Sequence, residues 1–146
     1  MSISTFSLVC SLLIAVVSLE AADGIVINEI HANPPLNHIR QEFIELHNPS
    51  PSSKDISGWR LSSAVDFTFP PGTVMEPGSY LVIAEHPATL QATLGTEALG
   101  PFSGNLNSSG ETVRLRDDSS TVIDEVDYAV GFPWPVASDG GGASIE

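Results

Sequence analysis

The sequence predicts an all-β sandwich. Three observations carry this expectation. Short runs rich in β-branched and aromatic residues recur at close spacing, Gly and Pro pairs separate them, and no stretch has a convincing helical period. The chain is organised around Glu42–Leu61, EFIELHNPSPSSKDISGWRL. Phe43, Ile44 and Leu46 suit a strand. Pro49 and Pro51 deny a ladder its N–H groups, so that strand stops there. Asp55–Leu61 begins a second strand, with Ile56, Trp59 and Leu61 as core candidates.

The other elements follow in order. Gly24–Ile30, GIVINEI, is the first strand, ended by His31-Ala32-Asn33-Pro34-Pro35. Ser62–Asp66 is a turn and Phe67–Phe69 a short strand closed by Pro70-Pro71-Gly72. Thr73–Glu76 leads to the Pro77-Gly78 turn. Tyr80–Ala84 is apolar without alternation, as a strand covered on both faces would be. Pro87–Leu94 has room for one or two helical turns and reads as falling short of a true helix. Gly95–Ser109 is a loop. Gly110–Asp117 alternates, with Val113 and Leu115 facing one way and Thr112, Arg114 and Arg116 the other. Asp117–Ser120 is a hairpin turn into Thr121–Val130. Ile123 and Val126 are both apolar yet of opposite parity, which predicts a β-bulge near Asp124-Glu125. Gly131–Pro135 is a rigid corner, and Ala143–Glu146 opens one more strand that would continue beyond these residues.

The 146 residues allow one domain of ordinary size. Phe6–Leu19 is apolar and uncharged, shorter than the ~20 residues of a membrane span, and small residues follow it. Residues 1–22 therefore read as a secretory signal, cut after Ser18, Ala21 or Ala22, with an uncleaved anchor as the alternative. The domain is then 23–146. Removing 1–22 removes Cys10, the one cysteine, so neither disulfide nor thiol chemistry is expected. It also removes Glu20, so the net charge of −13 becomes −12. That charge argues against nucleic acid and anionic lipid surfaces as partners. The acids are scattered and no EF-hand spacing is present, so no metal or other cofactor is expected.

The fragments INEI at Ile27–Ile30, EFIELHN at Glu42–Asn48, DISGWRL at Asp55–Leu61 and FPPGTVMEPGSYLVI at Phe69–Ile83 come in that order. NSSGETVRL at Asn107–Leu115, IDEVDY at Ile123–Tyr128, PWP at Pro133–Pro135 and DGGGASIE at Asp139–Glu146 continue the series. This succession resembles the lamin-tail domain family. The resemblance implies an immunoglobulin-like β-sandwich. In animal lamins the module is the tail of a nuclear filament protein; similar modules occur in secreted and surface proteins of bacteria, beside hydrolase or adhesion domains. The nuclear role is not expected to carry over, because residues 1–22 read as an export signal and the given sequence shows neither a coiled-coil rod nor a basic import run. The family's last strand normally continues beyond the SIE-like start.

Each candidate site has a structural counterpart. Glu29 and Glu45 fall on expected neighbouring strands, as an acid–base pair would, but no nucleophile accompanies them, and each is expected to meet a loop N–H or a basic residue such as Arg60. His31, Asn33 and His38 lack the second half of a metal or nuclease site, and His47 and His86 read as lone surface residues. Trp59 is expected in the core. Trp134, between two prolines, is the candidate for ligand contact, a sugar among them. Asp124 and Asp127 are expected to fix backbone at the bulge. Asn107-Ser108-Ser109 is a glycosylation sequon, relevant only to a eukaryotic source. The reading that results is a non-enzymatic module, secreted or at the cell surface, that attaches to a protein, cell-surface or matrix partner, with a further downstream domain allowed. Its alternatives are an accessory domain of a larger secreted hydrolase and a carbohydrate-binding module using Trp134.

Overall fold

The computed structural model describes residues 24–32 and 40–129. Trp134, the expected leader at 1–22, Asn33, His38 and the expected strand at 143–146 lie outside them. The strands are β1 (Val26–His31), β2 (Phe43–His47), β3 (Lys54–Asp55), β4 (Arg60–Ser63) and β5 (Val65–Thr68). They continue with β6 (Val74–Met75), β7 (Tyr80–Ala84), helix α1 (Pro87–Leu94), β8 (Ser103–Gly104), β9 (Gly110–Arg116) and β10 (Val122–Ala129). Among the described residues, one sheet has the order β1-β2-β7, a second β10-β9-β4-β5-β8, and β3 pairs with β6. All the paired strands run antiparallel. The fold is the expected immunoglobulin-like sandwich.

The core lies between the two larger sheets. Alternate residues point inward, so Ile27, Ile30, Ile44, Leu46 and Ile83 of one sheet meet Leu61, Val65, Val113, Leu115 and Tyr128 of the other. Trp59 joins this cluster. The alternation expected in β9 is observed: Val113 and Leu115 are buried while Thr112, Arg114 and Arg116 are not.

Several expectations need correction. Asp55–Leu61 is not one strand. Gly58 takes φ +76°, a left-handed conformation that glycine accepts without a Cβ penalty, and a turn there separates β3 from β4. The central stretch thus passes from the three-stranded sheet at β2 to the five-stranded sheet at β4, by way of the β3–β6 ribbon. Pro87–Leu94 is a true helix. Pro87 occupies its first turn, and Gly95 at φ +71° closes it by donating its N–H to the Gln91 carbonyl. β7 is covered on both faces only at its end: Ile83 and Ala84 are buried, but Tyr80 is 57% exposed. The bulge in β10 falls between Val122 and Asp124, slightly before the expected place, and a second interrupts β1 between Ile27 and Glu29.

Candidate functional site

The polar groups divide into those spent on the fold and those facing outward. Asn48 follows β2 directly and is fully buried. Its Nδ2 donates to the carbonyls of Ser52, Met75 and Glu76 at 2.9, 2.9 and 3.1 Å. Its Oδ1 accepts the Ser50 N–H at 3.1 Å and the Ser50 hydroxyl at 2.7 Å. Its backbone bonds Ser79 and Gly78. One amide therefore holds the proline loop, β6 and the turn before β7. Sequence reasoning missed Asn48. The signal was there, since an Asn ending a strand before proline readily binds backbone two residues on.

Tyr128, buried on β10, donates its hydroxyl to the Asn107 carbonyl at 3.0 Å, with Glu111 Oε1 3.2 Å away. Burial, and then the neighbouring Glu111, raise its pKa. Beside it, Glu42 Oε2 accepts the Leu106 N–H at 2.8 Å. Burial raises the Glu42 pKa; the Leu106 N–H opposes this, while Glu85 and Glu111 add to it. These groups tie the 106–107 loop to the sandwich.

Outward-facing groups gather on the β1-β2-β7 sheet. Register sets three rows across it: Val26–His47–Tyr80, Glu29–Glu45–Val82, and His31–Phe43–Ala84, the last of them covered, since His31 and Ala84 are buried. The expected neighbourhood of Glu29 and Glu45 is observed, since they are direct cross-strand partners. Arg60 is not their partner. It lies on the other sheet and binds Asp66 through its guanidinium. Glu45 instead accepts the amide of Asn28, the bulge residue, at 2.9 Å. His47 is not isolated: its ring stacks on Tyr80, with centroids 4.3 Å apart. His31 stacks on Phe43 at 5.0 Å. Burial lowers the His31 pKa, and the Glu29 charge partly opposes it. His86 bonds Thr89 at the start of α1, through Nδ1 at 2.8 Å.

Trp59 is 7% exposed, as expected of a core residue, with Lys54 Nζ 6.0 Å from its ring centroid. Asp124 Oδ1 accepts the Glu125 N–H at 2.9 Å and its Oδ2 accepts the Ile27 N–H at 2.7 Å. Asp127 accepts the Thr112 hydroxyl at 3.2 Å. Asn107 is exposed, and its Oδ1 accepts the Ser109 N–H at 2.8 Å. Among the described residues, no three His, Cys, Asp or Glu side chains converge as metal ligands would. None of the described helices is long and apolar enough to cross a membrane.

A two-sheet antiparallel sandwich with this core and this division of polar groups is an immunoglobulin-like module. The chain belongs to the lamin tail domain family, whose model matches residues 19–129, well over half of its length. A comparison with curated proteins finds no match.

Proposed function

We propose that this chain is a non-enzymatic interaction module, exported by its N-terminal leader and acting at or outside the cell surface by attachment to a protein or matrix partner. One observation carries the reading. The buried polar side chains Asn48 and Ser50 and the half-buried Glu42 are spent on backbone groups, while the His47–Tyr80 ring pair and the Glu29 and Glu45 side chains stand on the outside of the three-stranded sheet. Groups held in this way support a scaffold, and an outward mixed face is what a partner would touch. The charge of −12 left after removal of Glu20 with the leader favours solubility outside the cell and disfavours polyanionic partners.

The test is export. The full-length chain with a C-terminal tag is expressed in a cell with a general secretory pathway, beside a version lacking residues 1–22. The reading expects the full-length protein in the medium or accessible to surface labelling, and the shortened one inside. Full-length protein held in the cytosol would overturn it.

A further inference from the structure

We propose that the outer face of the β1-β2-β7 sheet receives a basic segment of a partner protein, with an Arg or Lys side chain of that segment meeting Glu29 and Glu45. This rests on the reading of the chain as an interaction module and names the chemistry of its partner.

Glu29 and Glu45 sit directly opposite each other on neighbouring strands. Such partners have Cβ atoms about 5 Å apart, and like charges there oppose folding. Among the described residues, nothing cationic relieves them. The chain has five Lys and Arg for eighteen Asp and Glu, and all five are engaged elsewhere. Arg40 faces Glu85, Arg60 binds Asp66 and Arg114 binds Glu125. Arg116 binds Ser62 and the Ser120 carbonyl, and Lys54 lies over Trp59. Among the described residues no Lys or Arg side chain meets the Glu29–Glu45 pair, which leaves it open to a cation of a partner.

The surroundings suit an organic cation. Ring rows lie on both sides of the carboxylate row, each about 7 Å away, because alternate residues of a strand are that far apart. His31 with Phe43 closes one end, and exposed Tyr80 over His47 leaves the other open. Carboxylates beside aromatic faces attract a guanidinium or ammonium by charge pairing and by the ring quadrupole together. Val82, half-buried in the carboxylate row, offers apolar contact to the stem of such a side chain. The strongly negative chain steers a basic partner toward it and repels anionic surfaces.

The experiment titrates the full chain, by calorimetry, with an end-blocked threonine peptide carrying arginine at two alternate positions. A matched peptide carries citrulline, the neutral isostere, in their place. The protein variants are Glu29→Gln with Glu45→Gln, Tyr80→Ser, and the off-face control Glu97→Gln with Asp118→Asn, which changes the net charge equally. Binding of the arginine peptide, weakened about tenfold or more by the face pair, weakened by Tyr80→Ser, and changed less than about twofold by the control, is expected. The citrulline peptide should not bind. A urea melt of the face pair should show a fold at least as stable as the parent, since the change removes like-charge opposition. Equal weakening by face and control variants would reduce the attraction to diffuse charge and overturn the proposal. Absence of arginine-peptide binding, or calcium binding at the pair in its place, would overturn it too. Neither result would bear on export, which is measured separately.

Discussion

Asp124 of β10 accepts the Ile27 N–H of β1 at 2.7 Å, across the two sheets of the sandwich. Both residues adjoin bulges, one between Ile27 and Glu29 and the other between Val122 and Asp124. A bulge leaves ladder groups unpaired. Asp124 pairs with Leu115 in register and so shares the inward side of its sheet, where its carboxylate accepts the Ile27 N–H. An inward carboxylate at a sheet edge also discourages pairing with another chain. Asp124→Ala leaves the Ile27 N–H without its acceptor and should cost about 1–3 kcal/mol, while Asp124→Asn, which keeps an acceptor oxygen, should cost less. Urea melts of both variants check this; an Ala variant as stable as the parent would remove the interlock from the account.

Asn48 predicts a larger loss. Asn48→Ala strands three carbonyls and the Ser50 N–H, and should cost roughly 2–5 kcal/mol. Asn48→Asp keeps the shape but turns a donor toward three carbonyl oxygens into an acceptor. Its melt should be as poor as that of the Ala variant at neutral pH, and should recover in acid, where the carboxyl is protonated and can donate again. A neutral-pH melt of Asn48→Asp matching the parent would show that the amide donor is not what holds this loop.

Trp59 is nearly closed from solvent and joins the core at the start of β4. Trp59→Ala should cost about 3–5 kcal/mol. A loss under about 1 kcal/mol would place the ring at the surface and open it to a ligand.

Stability should depend on pH through two groups acting in opposite directions. The folded pKa of Glu42 is raised above its ordinary 4.5, so its contribution is fully present below 4.5 and is lost as the pH rises through the raised value. The folded pKa of His31 is lowered below 6.5, so its contribution is present above 6.5 and is lost as the pH falls through the lowered value. Glu42→Gln keeps an acceptor for the Leu106 N–H and should therefore gain on the parent at neutral pH, with the gain vanishing below about pH 4.5. His31→Phe keeps a ring on Phe43 and should lose the destabilisation that sets in as pH falls from 6.5. Melts of each variant across pH 4 to 8 separate the two; parallel curves for a variant and its parent would remove that group from the pH response.

Much of the sandwich was legible because period-two alternation survives wherever a strand has one wet face. Gly110–Arg116 shows this directly, and the parity conflict between Ile123 and Val126 pointed to the bulge nearby. The break at Gly58 was hidden, because DISGWRL carries apolar residues on both sides of the glycine and only φ shows the chain turning there. The helix was hidden for the opposite reason. It buries only Leu90, so it has almost no apolar stripe, and only Pro87 at its start and Gly95 at its C-cap mark its ends. At the outer face, the order of the expected strands was enough to place Glu29 and Glu45 on neighbours. The ring pair His47–Tyr80 was not legible, because it depends on the register between β2 and β7, which are far apart in the chain.

The central claim is that outward residues of the β1-β2-β7 sheet carry attachment while inward polar groups carry the fold. It is tested most directly by the fraction of the tagged, leader-bearing full chain that stays on cells after washing, for the parent and for Tyr80→Ser combined with Glu45→Gln. The account predicts that the parent is retained, that the variant is released into the wash, and that the two melt at the same urea midpoint. Equal retention of parent and variant, or a parent that washes off completely, would contradict it.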